Sequence, residues 1–136
     1  MNKPYITLKA FIVEVAGWMF TIAALIYSIV YDTTLVVLSI SMIVTLAIVS
    51  LVLHLLPPSS WNMPVKITER NALICYTDVA NMLALLILWC GIYTFIMVVF
   101  VKYGDTVTWA ASAFLLVTTL GTIIYEIEMT KRHSKM

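Results

Sequence analysis

Four apolar runs constrain this chain more than any other feature: residues 10–31, 35–56, 73–101 and 107–127. A bilayer core about 30 Å thick needs roughly 20 helical residues at about 1.5 Å rise each. Lipid offers no water to backbone polar groups, so spans of this length close their own hydrogen bonds as helices. Composition agrees. Of the 136 residues, 62% are hydrophobic and 11% charged, with a mean hydropathy of +1.03. Soluble domains carry about 25% charged residues, so this chain cannot cover a globular surface with polar groups. The expected fold class is all-α, an integral membrane four-helix bundle forming a single domain.

The connections and their charges give the orientation. The first link is a few residues around Asp32, Thr33 and Thr34, and the third, residues 102–106, offers Gly104 as a helix terminator. Links this short force antiparallel neighbours. In the longer middle connection, Pro57 and Pro58 stop the second helix. Thr68 is expected to cap the third, with Glu69 in its first turn. Tyr31, Trp61, Tyr103, Trp109 and Tyr125 sit near span ends, as in an interfacial belt. Lys3 and Lys9 lie in the N-terminal tail, Lys66 and Arg70 in the middle loop, and Lys131, Arg132 and Lys135 in the C-terminal tail. The short loops hold only Lys102, against Asp32 and Asp105. The positive-inside rule then puts both tails and the middle loop in the cytoplasm, N-in and C-in. No small-residue cleavage site follows the first span, which is expected to be retained. Cys75 and Cys90 fall on one helix, roughly 22 Å apart by helical rise, too far to bond to each other. The net charge of +1 includes no basic patch suited to nucleic acid.

Polar residues within the spans fall into stripes at about 3.6 residues per turn. Glu14, Thr21, Ser28 and nearly Asp32 share a face of the first span, flanked by Gly17 and Trp18. Ser39, Ser50 and His54 share one in the second, and Ser112, Thr119 and Glu126 one in the fourth. The third carries Asn71, Cys75, Asp78, Met82, Trp89 and Tyr93. Two readings stand side by side: a bundle seam, where small and hydroxylated residues let helices approach, or a polar pocket along the axis.

The ionisable residues gather by depth. Glu14, His54, Asp78 and Glu126 all arrive near the inner interface, and a charge inside a membrane segment suggests a site by default. Lys66 and Arg70 are the expected counter-charges. The cluster reads either as a brace locking the middle loop onto the bundle or as a proton-coupled or ligand-binding vestibule. No two members show tight metal-ligand spacing, so no metal and no other cofactor is expected.

The middle loop holds the most distinctive text: Pro57-Pro58, then Asn62-Met63-Pro64-Val65-Lys66-Ile67-Thr68-Glu69-Arg70-Asn71, then Tyr76. Pro64 bars helix at Met63, and Val65 and Ile67 can both dip into the interface while Lys66 points to headgroups. The segment resembles the cytoplasmic signature of the sporulation-delay toxin immunity (SdpI-like) family of small bacterial membrane proteins. The residues carrying that resemblance are Asn62, Pro64, Val65, Lys66, Ile67, Thr68, Asn71 and Tyr76. Met63 stands where the family usually has an aromatic. Family members commonly carry a longer outer loop after the first span, where this chain has only Tyr31-Asp32-Thr33-Thr34. The resemblance implies a non-enzymatic role in envelope protection, sensing or toxin immunity.

A second resemblance covers the first 17 or so residues: Met1-Asn2, Pro4-Tyr5-Ile6, Leu8 and Glu14-Val15 are similar to the opening of the small multidrug resistance transporters. It implies a dimeric proton-coupled transporter in which Glu14 binds protons and cations alternately. No Ser/His/Asp order, phosphate loop or HExxH zinc motif marks an enzyme. The partners to expect are the lipid bilayer, a second copy of the chain, and a toxin or small-molecule ligand.

Overall fold

The computed structural model describes residues 6–56 and 66–135. Pro57, Pro58, Trp61, Asn62, Met63, Pro64 and Val65 lie outside the described residues, as does Lys3. The helices are α1 (Leu8–Tyr31), α2 (Val36–His54), α3 (Ala72–Phe100) and α4 (Asp105–Ser134), and among the described residues there is no strand. All four are long and apolar enough to cross a membrane. The protein is an all-α four-helix bundle built as a multi-pass membrane protein.

Local chemistry sets the helix ends. Thr7 caps α1, its hydroxyl accepting from the Ala10 N–H at 3.1 Å. Asp32 ends α1 and starts the next turn, its carboxylate accepting from the Thr34 N–H at 3.2 Å and the Thr34 hydroxyl at 2.6 Å. A short 3-10 turn, Thr33–Leu35, then delivers the chain into α2. Between α3 and α4, Gly104 adopts a φ of +118°, which a side chain would resist. Asp105 follows in the first turn of α4, where the helix dipole favours an anion.

Two ends differ from expectation. α4 does not stop with its apolar stretch at residue 127 but continues to Ser134. Backbone hydrogen bonding does not depend on hydropathy, and Lys131, Arg132 and His133 suit the negative end of the dipole. Thr68 does not cap α3 directly. It closes a turn with Asn71, and Glu69 belongs to that turn rather than to the first turn of α3.

α3 is the central helix, packing against α1, α2 and α4, while α1 also packs against α2. The buried face of α1 is Ala10, Glu14, Gly17, Thr21, Ala24 and Ser28. Their alternating spacing of four and three is a heptad seam, here made of small residues that let helices approach. Gly17 and Gly91 meet backbone to backbone at the α1–α3 crossing. Thr21 and Thr94 return their hydroxyl protons to carbonyls one turn back, at 2.9 and 2.8 Å, so burial leaves no donor unmet. α3 and α4 are joined by the Trp89 indole N–H, which donates to the Thr122 hydroxyl at 2.8 Å. Ser112 is exposed, off the buried face of α4 that runs through Ala111, Glu126 and Thr130.

Candidate functional site

The end of the bundle that carries the start of α1 and the end of α4 holds the polar groups, in two separate pairs. Glu14 sits in the second turn of α1 and is only 5% exposed. His54 is the last residue of α2, where the dipole favours a cation. Its Nε2 stands 2.7 Å from Oε2 and 2.9 Å from Oε1 of Glu14. The Ser50 hydroxyl donates to Glu14 Oε1 at 3.0 Å, and the Trp18 indole N–H donates to Ser50 Oγ at 3.0 Å. The helical repeat explains the set: Trp18 is four residues from Glu14, and Ser50 four from His54, so each stands one turn along its own face. Both oxygens of Glu14 are engaged, which is what a buried carboxylate requires.

The second pair joins α3 to α4. Asp78 Oδ2 lies 2.6 Å from His133 Nδ1. The Thr130 hydroxyl donates to the Glu126 carbonyl at 2.7 Å and leaves a longer 3.4 Å approach to Asp78 Oδ2. A hydroxyl has one proton, so the shorter bond holds it and the histidine is the principal partner of Asp78. Cys75 lies beneath, its thiol directed at the Thr130 carbonyl at 3.9 Å.

The four ionisable residues expected to form one cluster are thus divided: Glu14 with His54 between α1 and α2, and Asp78 beside Glu126 between α3 and α4. The partners of the carboxylates differ as well. Lys66 and Arg70 are exposed and, among the described residues, enter no ion pair, whereas the imidazoles of His54 and His133 meet the two carboxylates. Lys66 and Arg70 sit on the turn before α3, on its solvent side, and their long chains reach water more cheaply than the bundle. His133 is the residue that sequence reasoning missed, because it lies beyond the apolar stretch and reads as tail. Its signal was the spacing of residues 126, 130 and 133, which continues one face if the helix continues. Among the described residues no three His, Cys, Asp or Glu side chains converge as metal ligands.

Glu126 differs from the other two buried carboxylates. It is 7% exposed, yet among the described residues nothing donates a hydrogen bond to its side chain. It lines a cleft with Lys9, Ala10 and Val13 of α1 and Asn81, Ala84 and Leu85 of α3.

The described part of the signature loop is a built turn. The Thr68 N–H donates to Asn71 Oδ1 at 2.8 Å, and the Asn71 N–H donates to the Thr68 hydroxyl at 3.4 Å. Asn71 Nδ2 donates to the carbonyls of Lys66 at 3.3 Å and of Ser134 at 3.2 Å. One amide, 2% exposed, therefore ties the entry of α3 to the end of α4. Ile67 is half-buried, and Tyr76 packs on the small core of Leu53 and Ala80. No protein-family model, curated protein or solved structure matches the chain.

Proposed function

We propose that this chain is a non-enzymatic, SdpI-like protein of the bacterial inner membrane, acting in envelope protection, sensing or toxin immunity. Both termini and the α2–α3 connection face the cytoplasm. The distribution of Lys and Arg supports that orientation. The observation that carries the proposal is the Asn71 tie. The described part of the segment bearing the resemblance, from Lys66 to Asn71, is a hydrogen-bonded turn docked on the end of α4. A docked turn at the entry of α3 gives a membrane protein a fixed cytoplasmic feature through which a state of the bundle can be read.

The transporter reading asks for a Glu14 open to cations. Here His54 and Ser50 occupy both of its oxygens, so loading Glu14 would first break two hydrogen bonds, one from the Ser50 hydroxyl and one that His54 Nε2 shares between the carboxylate oxygens. That favours a bracing role for this residue.

The test is survival. The chain is expressed in bacteria sensitive to a membrane-permeabilising peptide, beside Asn71→Ala at equal membrane abundance. The wild-type chain is expected to raise the lethal peptide concentration and the variant to do so less. If the wild-type chain gives no protection while reconstituted protein carries protons against a cation gradient, the transporter reading takes its place.

A further inference from the structure

Each of the three buried carboxylates near the inner ends costs free energy unless something compensates it. Glu14 has His54 and Ser50, and Asp78 has His133. Glu126 accepts no side-chain hydrogen bond among the described residues and is met only through space by Lys9 and His133, although it is as buried as Asp78, each 7% exposed. Its carboxylate lines a cleft of about 90 Å³ between α1, α3 and α4. A water needs about 10–15 Å³ measured this way, so the cleft has room for several waters or a ligand of a few heavy atoms.

The walls narrow the chemistry. Asn81 lines the same cleft, and among the described residues its buried side-chain oxygen has no hydrogen-bond partner. A half-turn of that amide exchanges oxygen and nitrogen without changing its shape, so Asn81 can offer an acceptor to an occupant. Ala10, Val13, Ala84 and Leu85 supply apolar surface. Lys9, exposed on α1, stands at the rim. An anion is disfavoured by Glu126. A divalent metal would want more oxygen ligands than one carboxylate and one amide provide. A compact cation with several N–H donors and a short alkyl stem meets the two acceptors and the apolar wall together.

We propose that the Glu126–Asn81 cleft is a binding site for a primary alkylammonium group, with Lys9 as the competing cation at its mouth. The group can come from a free small amine or from the headgroup of an aminophospholipid in the inner leaflet. The inference does not depend on the resemblance or on the protective role, and the two can fail separately.

Ethylammonium chloride is the probe, titrated by calorimetry and by NMR of the Asn81 side-chain amide into the full chain in detergent micelles. A ligand of three heavy atoms binds no tighter than about millimolar, so saturable binding in that range is expected. Tetramethylammonium, which has the charge but no N–H donor, and sodium are expected not to compete. Glu126→Gln should weaken binding about tenfold or more. Lys9→Gln, on an exposed side chain and so without risk to folding, should strengthen it by up to about fivefold. Nanodiscs of phosphatidylethanolamine that suppress ethylammonium binding, against phosphatidylcholine nanodiscs that do not, identify the lipid headgroup as the source. Equal binding in both identifies a free amine, and either result upholds the site. Absence of saturable binding in both the wild type and Lys9→Gln overturns the proposal. So does equal binding of tetramethylammonium, or a Glu126→Gln variant that binds as well as the parent. Binding seen only in Lys9→Gln makes Lys9 the resident ammonium and overturns an external ligand.

Discussion

Replacing Gly91 with alanine tests the α1–α3 crossing that sets the depth and spacing of the polar groups. A Cβ at Gly91 would collide with the Gly17 carbonyl oxygen, at 2.9 Å from its carbonyl carbon and 3.0 Å from its Cα. All of these are backbone atoms, so no flexible side chain can yield. Restoring ordinary contact means parting the helices by roughly 0.5–1 Å, which forfeits about a quarter to a half of each contact's attraction. At about 0.1–0.2 kcal/mol per atom pair, a few tens of pairs along the seam lose about 1–3 kcal/mol, the range seen for overpacked cores. Alanine also gains about 0.8–1.0 kcal/mol of helix propensity over glycine. Gly121→Ala isolates that gain, because a Cβ at Gly121 meets nothing within 4 Å. The propensity term cancels between the variants, so Gly91→Ala should unfold about 1–3 kcal/mol more easily than Gly121→Ala. Unfolding in mixed micelles on titration with denaturing detergent, followed by tryptophan fluorescence, measures the difference. Two variants agreeing within about 0.5 kcal/mol, the scatter of neutral surface changes, would refute the close crossing.

Three further expectations use the same assay or a labelling one. His54→Ala leaves Glu14 with Ser50 as its remaining side-chain donor and should cost about 1–3 kcal/mol. Adding Glu14→Gln should recover part of that loss, and strict additivity in the double-mutant cycle would dissolve the pair. Asn71→Ala should likewise cost about 1–3 kcal/mol, whereas Lys66→Ala, which among the described residues contributes its backbone carbonyl to the turn, should stay within about 0.5 kcal/mol of the parent; equal losses would mean the turn is not held by Asn71. In a chain with Cys75 and Cys90 replaced by serine, a cysteine at Thr106 should react with an impermeant thiol reagent in intact cells and one at Ser134 should not, and labelling at Ser134 without lysis reverses the orientation.

Residue spacing made the helices and the buried face of α1 legible, but in α3 the polar stripe met the buried residues only at Asn71, Cys75 and Asp78, because a central helix packed on three sides also buries Ala84, Ile87 and Gly91. In α1 the stripe of Glu14, Thr21 and Ser28 is the buried seam, because spacings of three and four residues and small side chains leave one way to pack. In α4 the stripe reading was partly misled by Ser112. A hydroxyl there can bond within the helix and face lipid, so polarity alone does not assign a face. Position along each helix follows from a fixed rise per residue, and Glu14 and Asp78 both lie in the second turn of their helices. The pairing of the ionisable side chains was not legible. Which carboxylate meets which imidazole depends on helix rotation and on how far α4 extends past its apolar stretch, and hydropathy carries neither. His133 shows this best: its partner lies 55 positions away in the chain.

The two histidine pairs follow one plan. Glu14 is the seventh residue of α1 and Asp78 the seventh of α3, while His54 and His133 stand in the last turns of α2 and α4. Each hairpin therefore brings a carboxylate from the second turn of one helix against an imidazole at the end of the next. The imidazoles sit where the dipole favours positive charge, but its influence fades within a turn. The carboxylates lie too deep to be compensated by the helix start and need a side-chain partner. Viewed this way, Glu126 is outside the plan. It stands seven residues before His133, and the matching position before His54 is Ala47. An apolar residue serves the first hairpin at that place, so the fold itself does not require a carboxylate there. The second hairpin carries a buried acid without a side-chain hydrogen bond among the described residues, at a cost that a small cationic occupant would offset.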